Sequence, residues 1–248
     1  MNDLMSERGD RWLPAEPVRT MQAAAAFIEH VGIALLFPAD KPIAPSLWEA
    51  IAGPDAEPFA EGMNDDESLA WEFKDALPAA GLAWSGKFLQ GRNALLAPRL
   101  LASLYPGAGH PDDHQALHLS QEAHRIAEAL LFGPLPTSTL RELVGHKGPY
   151  DRAIKELHRN LLVTSAGTAK QSSGWPAVVL DLTCRRFAVG GTLNHRYATI
   201  RYLETMIGVV PGELARAYGW TTAAARAQLD GLVADRLAVH TDGSYRLS

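Results

Sequence analysis

Apolar positions in the central part of the chain recur at a helical spacing and then give way to strand-like runs. The first predicted helix follows Ser120, a favourable N-cap residue, and ends before Gly133 and Pro134. Its apolar positions fall about 3.6 residues apart, which predicts one buried face. These positions are Ala123, Ile126, Ala127, Leu130 and Leu131.

Two further helices and a hairpin are predicted directly after it. The second helix begins near the run PTST, where Thr139 and Glu142 have capping-box spacing, and it ends at Gly145. Pro149 suits the first turn of the third helix, whose inward stripe is Ile154, Leu157 and Leu161. The runs LLVTS and AVVLDLT then read as two strands joined by a long loop. Three helices followed by a β-hairpin predict a winged helix.

The same order of elements is predicted twice more. In the C-terminal part, helices over 193–207, PGELARAYG and TTAAARAQLDGLVADRL precede a hairpin that turns at Asp242-Gly243. In the N-terminal part, a helix over 17–31, the strand-like GIALLFP, the helices PSLWEAIAG and DDESLAWEFKDAL, and a hairpin turning near Gln90 to Asn93 precede a linking helix. The predicted fold class is therefore mainly α with small β-hairpins (α+β), built as three tandem winged-helix (helix-turn-helix) units. Their expected boundaries are 1–110, 111–190 and 191–248, and the alternative is a mixed α/β domain followed by two small helical domains.

Composition narrows the class of protein. The 248 residues are 47% hydrophobic and 21% charged, which favours folded domains over disorder. The one cysteine, Cys184, excludes an internal disulfide framework. Apolar runs are too short to span a bilayer, and the charged start MNDLMSERGDRW lacks the core of a signal peptide, so we expect a cytoplasmic protein without membrane contact.

Charge is unevenly placed along the chain. The net charge is −5, and residues 1–110 contain eight Lys/Arg against fifteen Asp/Glu, whereas residues 111–248 contain fifteen against thirteen. An asymmetry of this kind bears on partners rather than on fold. It directs the search for a polyanion-binding surface to the second half of the chain.

The third helix of the central unit is the best candidate for contact with double-stranded DNA, because a recognition helix needs cations on its solvent face. Arg152, Lys155 and Arg159 are spaced i, i+3 and i+7 opposite the apolar stripe, with Lys147 and His158 beside them. Asp151 and Glu156 partly offset this charge. Further expected phosphate contacts are Lys170, Arg185 and Arg186. The alternative is an ordinary solvated helix face.

The corresponding helices of the other units are less suited to DNA. In the first unit that helix contains Asp65, Asp66, Glu67, Glu72 and Asp75 against Lys74 alone, which predicts a structural or protein-contacting surface. In the last unit, Arg226 and Arg236 are balanced by Asp230 and Asp235. Trp84, Lys87 and Arg92 on the first hairpin would form a basic wing, and Trp175 in the central wing loop would pack on the helices or stack on a base.

The order of these elements resembles the AlkZ/YcaQ type of DNA glycosylase, a family of tandem winged helices that unhooks DNA crosslinks. The run LSQEAHRIAEALLFGPLPTSTLRELVG is similar to that family's helix, turn and Ser/Thr-capped second helix. AWSGKFLQGRNALLAPRLL, with GIALLFPADKPIAPSLWEAI before it, is more similar to a divergent, AlkZ-related branch. The resemblance covers most of the chain and implies a DNA-binding protein in DNA damage recognition or regulation.

The resemblance breaks down at the catalytic motif. Active members have glutamine-x-glutamine or glutamine-x-aspartate after the first helix, where this chain has Gly32-Ile33-Ala34-Leu35-Leu36-Phe37, and no two of its glutamines lie two positions apart. Base excision needs a polar side chain that holds and activates water, which alanine and leucine cannot do. The resemblance therefore implies a catalytically inactive relative. Asp40 is the one nearby substitute, although an acidic residue in this position is more typical of a turn.

Other chemistry finds little support. His110, His114, His118 and His124 cluster around the linker expected near residues 106–116, and this arrangement does not predict a metal site. No phosphate-binding or dinucleotide glycine motif is present, and Trp84-Ser85-Gly86 lacks the glycine that precedes the serine of a nucleophile elbow. We expect no cofactor and no metal. The functional alternatives are a divergent DNA glycosylase that uses Asp40 and a protein-interaction scaffold; the oligomeric state stays open.

Overall fold

The computed structural model describes residues 7–9, 11–40, 43–60, 62–170 and 176–248. Its N-terminal segment, up to residue 110, folds around a three-stranded antiparallel sheet of order β1-β3-β2. The GIALLFP run supplies β1, which lies beside β3 rather than standing alone. The elements are α1 (Met21–Val31), β1 (Ile33–Leu35), α2 (Leu47–Ala52), α3 (Asp65–Ala79), β2 (Trp84–Lys87), a 3-10 turn (Leu89–Gly91), β3 (Asn93–Leu96) and α4 (Pro98–Leu104).

The central segment, residues 111–190, has the three predicted helices and the predicted hairpin. Ser120 caps its first helix, accepting a hydrogen bond from the amide of Ala123 at 3.3 Å. The capping box predicted at Thr139 is wrong, because the N-cap of the second helix is Pro136, three residues earlier. The elements are a 3-10 turn (Asp113–Ala116), α5 (Gln121–Leu130), β4 (Leu135–Pro136), α6 (Thr137–Val144), α7 (Lys147–Arg159), β5 (Val163–Ala169), β6 (Ala177–Leu182) and α8 (Thr183–Arg186).

The C-terminal segment, residues 191–248, repeats three helices and a hairpin. The hairpin turns at Asp242 (φ 52°) and Gly243 (φ 77°), the two left-handed positions that the tightest hairpins require. Val209, just before the second helix, bridges Tyr245 of the last strand. The elements are α9 (His195–Met206), α10 (Pro211–Tyr218), α11 (Thr222–Ala234), β7 (Ala238–Thr241) and β8 (Ser244–Leu247).

The N-terminal and central segments are joined by buried hydrogen bonds. The Thr164 hydroxyl accepts from the Ser85 amide and donates to the Ser85 carbonyl, both at 3.1 Å. The Trp84 indole donates to the Thr183 hydroxyl at 3.1 Å. These contacts tie β2 to β5 and to the start of α8, so the two segments share one core rather than being linked as separate beads.

The C-terminal segment is fastened to α1. The Arg201 guanidinium donates to the carbonyls of Glu29 and His30, at 3.0 and 2.8 Å, and the Thr205 hydroxyl donates to the Val31 carbonyl at 2.6 Å. These carbonyls end α1 and have no partner within their own helix, so α9 supplies the cap. The predicted combination of helices with small antiparallel sheets is confirmed. Among the described residues, no helix is long and apolar enough to cross a membrane.

Candidate nucleic-acid interface

The outer face of α7 presents three cations to solvent. Arg152, Lys155 and Arg159 are all exposed. With the residues that the structure describes, none of the three forms an ion pair or a side-chain hydrogen bond. The opposite face is packed into the core through Tyr150, Ala153, Ile154 and Leu157.

One of the two nearby carboxylates is already engaged. Glu156 accepts from the Ser120 amide at 3.0 Å and from the Ser120 hydroxyl at 2.5 Å, which ties α7 to the start of α5. Its charge is therefore directed toward the N-terminus of that helix, where a negative charge is favourable. Asp151, half-buried, lies at the other edge of α7.

A cleft beside α7 gathers cations from all three segments. Its cavity of about 340 Å³ is lined by Lys87 from β2, Lys155 and Arg159 from α7, and Arg216 from α10. Among its lining residues that the structure describes, none is a carboxylate. Gly219 allows this approach, because a Cβ there would lie 3.1 Å from the Arg159 Nε. We call this cavity the basic cleft.

Asp40 borders a neighbouring cavity of about 490 Å³, together with Gln90, Arg92 and Arg216. Gln90 and Arg216 also line the basic cleft, so the two cavities adjoin each other. Gln90 stands at the tip of the first hairpin with a positive φ of 54°. The structure thus brings Asp40 next to the cations of the first hairpin and of α10.

The other residues expected to contact phosphate divide into two groups. Lys147 and Lys170 are exposed. Arg185 instead pairs with Asp181, to which its Nε donates at 2.7 Å, and it also donates to the carbonyls of Leu130 and Leu131.

Arg186 crosses to the N-terminal segment and donates to the carbonyl of Ala79. Arg185 and Arg186 therefore both bond to groups within the fold. Trp175 of the wing loop lies outside the described residues.

His158 was expected beside the cations of α7, and that expectation is wrong. The side chain is buried, and its ring packs edge-on against Trp84 at a centroid distance of 5.9 Å. Burial lowers the pKa of His158 to about 3, with smaller contributions from Lys87 and Lys74. The imidazole is therefore neutral at pH 7 and adds no charge to the interface.

The stretch from Ile33 to Leu36, where the sequence resemblance places the family's catalytic motif, is buried in the sheet. Ala34 is in β1 opposite Leu95, and both Ala34 and Leu36 are at most 1% exposed. The amide of Leu36 donates to the Asn93 carbonyl at 3.0 Å. These positions thus face the apolar core and offer water neither access nor a polar side chain.

Sequence reasoning missed Arg216 altogether. It lies on α10, whose buried side contains Leu214, Ala215 and Ala217, and it reaches the cleft because α10 packs against the 3-10 turn of the first hairpin. The spacing of residues within one helix does not predict a contact between segments that are far apart in sequence. Lys87 could be found, because the basic character of the first hairpin is visible in its sequence.

A family model described as AlkZ related matches residues 18–198. The chain belongs to the AlkZ-related family. Among solved structures it is similar to Streptomyces sahachiroi DNA glycosylase AlkZ, with a TM-score of 0.57 and 12% sequence identity, over 99% of this chain and 69% of that one. This likeness shows a shared fold. The resemblance expected from the order of elements is thereby confirmed at the level of family and fold.

A second structure, the DIP2311 protein from Corynebacterium diphtheriae, is 17% identical over 82% of this chain and 38% of its own, with a TM-score of 0.24. At that score the likeness supports no argument about fold. No curated protein matches the chain in sequence. Among the described residues, no group of three or more His, Cys, Asp or Glu side chains is arranged to hold a metal ion.

Proposed function

We propose that this protein binds double-stranded DNA through three tandem winged-helix units and acts in recognising or regulating damaged DNA rather than in excising bases. Its membership of the AlkZ-related family and its fold likeness to a DNA glycosylase support a role on DNA. The three units are 1–110, 111–190 and 191–248. Each contains helices followed by an antiparallel hairpin, as winged helices do.

One observation supports DNA contact most strongly: the cations on the outer face of α7 are exposed and lead into the basic cleft. Duplex DNA carries closely spaced phosphates, so a surface that presents several unneutralised cations gains free energy by releasing counterions. In this proposal the duplex lies along Arg152, Lys155 and Arg159 and reaches Lys87 and Arg216. Lys147 and Lys170 are peripheral contacts, whereas Arg185 and Arg186 act within the fold.

The buried, apolar β1 supports the absence of base excision. The resemblance places Ala34 and Leu36 where active glycosylases of this type have the polar side chains that position water, and both residues are buried. A buried alanine and leucine can neither orient water nor accept its proton. Binding without excision is the activity that this combination favours.

Fluorescence anisotropy with intact and lesion-containing duplexes across a salt series tests the proposal. We expect affinity that falls steeply as salt rises, and we expect Arg152→Glu with Arg159→Glu to abolish it. The matched control reverses a cation elsewhere: Arg19→Glu removes an exposed arginine that pairs with Asp66 in the first unit. Absence of binding at low salt would contradict the proposal, and self-association or a co-purifying partner would then favour the interaction scaffold.

A divergent glycosylase is the second candidate, because Asp40 borders a cavity that adjoins the basic cleft and shares Gln90 and Arg216 with it. If DNA lies in that cleft, a carboxylate at its margin could act as the base that activates water. Release of a modified base from a lesion-bearing duplex would establish this activity, provided that Asp40→Asn removes the release and spares binding. Release that persists in the variant would exclude Asp40 as the catalytic residue.

A further inference from the structure

A further cavity of about 240 Å³, which shares Lys87 with the basic cleft, lies between the first hairpin and the central helices. It is lined by Ser85, Lys87 and Asn93 from the first unit and by Arg141, Asp151 and His158 from α6 and α7. Arg152 and Arg159 do not line it. The cavity is smaller than those that hold drug-sized ligands, so its occupant would be a small group.

The clearest sign of an occupant is the imidazole of His158. It is 6% exposed, it lines this cavity, and neither of its ring nitrogens has a hydrogen-bond partner among the described residues. Buried polar atoms in native proteins nearly always have a partner, because leaving one without costs about 1–3 kcal/mol. A ligand in the cavity would supply the partner that the protein lacks.

The side chains around the cavity indicate that this ligand is an anion. Lys74, Lys87 and Arg141 all line it, and Asp151 is the one carboxylate among the described lining residues. Lys74 is itself buried and is paired with the adjacent Asp75 at 2.5 Å, which leaves Lys87 and Arg141 against Asp151. The net charge of the side chains around the cavity is positive, even though the net charge of the whole chain is negative.

Arg141 has the geometry to hold an oxyanion. Its guanidinium lies over the ring of Tyr150, 5.5 Å from the centroid, which restrains the side chain. A guanidinium presents parallel N–H donors that match two oxygens of a phosphate, whereas a lysine acts as a point charge. A neutral imidazole adds one N–H donor without needing a counter-charge of its own.

We propose that this cavity is a binding site for a terminal phosphate group, bound by Arg141 and Lys87 and by an N–H of His158. The group is either free, as inorganic phosphate or a phosphate monoester, or the 5′-phosphate at a DNA end. Lys87 also lines the basic cleft, whereas Arg141 and His158 do not, so these two residues distinguish the cavity from the surface proposed for the duplex.

Nuclear magnetic resonance of the histidine rings, with inorganic phosphate added to the full chain, tests the site. We expect saturable shifts of the His158 ring signals, identified by their through-space contact with the Trp84 indole. Arg141→Met, at an exposed position, should weaken phosphate binding about tenfold or more, since a bidentate charged contact is lost. The matched control, Arg152→Met on the neighbouring helix, should leave it unchanged.

A second experiment separates the two sources of phosphate. Anisotropy with a short duplex bearing a 5′-phosphate or a 5′-hydroxyl should show a preference that Arg141→Met removes if the site reads DNA ends. Inorganic phosphate that binds without such a preference indicates a free ligand. Absence of any His158 shift with phosphate, or equal affinity in Arg141→Met, would overturn the proposal.

The outcome is distinguishable from failure of the DNA-binding function. Arg152→Glu with Arg159→Glu should abolish duplex binding while leaving the inorganic phosphate titration of His158 intact. Conversely, Arg141→Met should leave the salt dependence of binding to a 5′-hydroxyl duplex unchanged. If duplex binding is absent in the unaltered protein, the phosphate titration still tests the cavity by itself.

Discussion

The salt dependence of duplex binding offers a quantitative test of the proposed interface. The cations expected to meet phosphates are Lys87, Arg152, Lys155, Arg159 and Arg216. Each phosphate that is neutralised contributes about −0.9 to the slope of log affinity against log salt. Five such contacts therefore predict a slope of about −4.5, or roughly a 500-fold loss of affinity between 50 and 200 mM salt.

Replacement of Arg152 and Arg159 by alanine should reduce that slope to about −2.7, since two phosphate contacts are lost. Both side chains are exposed and lack partners among the described residues, so the change should leave the fold intact. Arg19→Ala is the matched control, because it removes an exposed cation that already pairs with Asp66. Fluorescence anisotropy at five or more salt concentrations measures each slope, and circular dichroism checks folding.

Two results would refute the reasoning. A slope near zero in the unaltered protein would mean that phosphates are not contacted at all. An unchanged slope in the double variant, together with a reduced slope for Arg19→Ala, would place the duplex on a different surface.

The close contacts of the core allow further predictions about the stability of the fold. Gly86→Ala should destabilise the fold by about 1–3 kcal/mol in thermal denaturation, because the new Cβ would lie 2.5 Å from the buried His158 ring. Gly231→Ala on α11 is the matched control. No atom lies within 4 Å of its Cβ position, so this change should stabilise the fold by about 0.5–1 kcal/mol in the same assay. Thr164→Val should lower the free energy of unfolding, measured by urea titration, by about 1–3 kcal/mol, because the buried Ser85 amide loses its acceptor. An unchanged urea midpoint would show that this hydrogen bond does not couple β5 to β2. Because the pKa of His158 falls to about 3 in the folded state, the unfolded chain binds the extra proton first. The free energy of unfolding should therefore drop by up to about 1.4 kcal/mol per pH unit as pH falls from about 6.5 toward 3, and His158→Gln should remove this part of the slope if it folds.

Local signals in the sequence were sufficient to predict most of the helices. Ser120 caps α5, Gly145 ends α6 with a φ of 88°, and Asp242-Gly243 turns the last hairpin, because each of these conformations is set within a few residues. Thr139 misled for a related reason: its spacing to Glu142 fits a capping box, but Pro136 already starts the helix. A favourable local spacing cannot show at which of two nearby residues the helix begins in the folded protein.

Whether a charged residue is free to contact a ligand depends on tertiary contacts, which the spacing of residues along the sequence does not predict. Arg185 was expected at phosphate, yet Asp181 and the end of α5 engage it once β6 packs beside that helix. The burial of His158 did leave a signal, since it lies four residues after Ile154 and so shares the inward side of α7. Reading it as a cation ignored that spacing.

The basic cleft shows why a protein of net charge −5 can present a surface for a polyanion. Its four cations come from β2, α7 and α10, which are far apart in sequence, and they meet only because the three segments are docked against one another. Two acids of the first unit form contacts within the fold: Glu67 accepts hydrogen bonds from the amides of Phe59 and Asn64, and Asp66 pairs with Arg19. Affinity for DNA would therefore depend on the docking of the segments as much as on the cations. A net charge summed over the chain is a poor guide, because phosphates respond to the charges within about a Debye length of the surface that they touch.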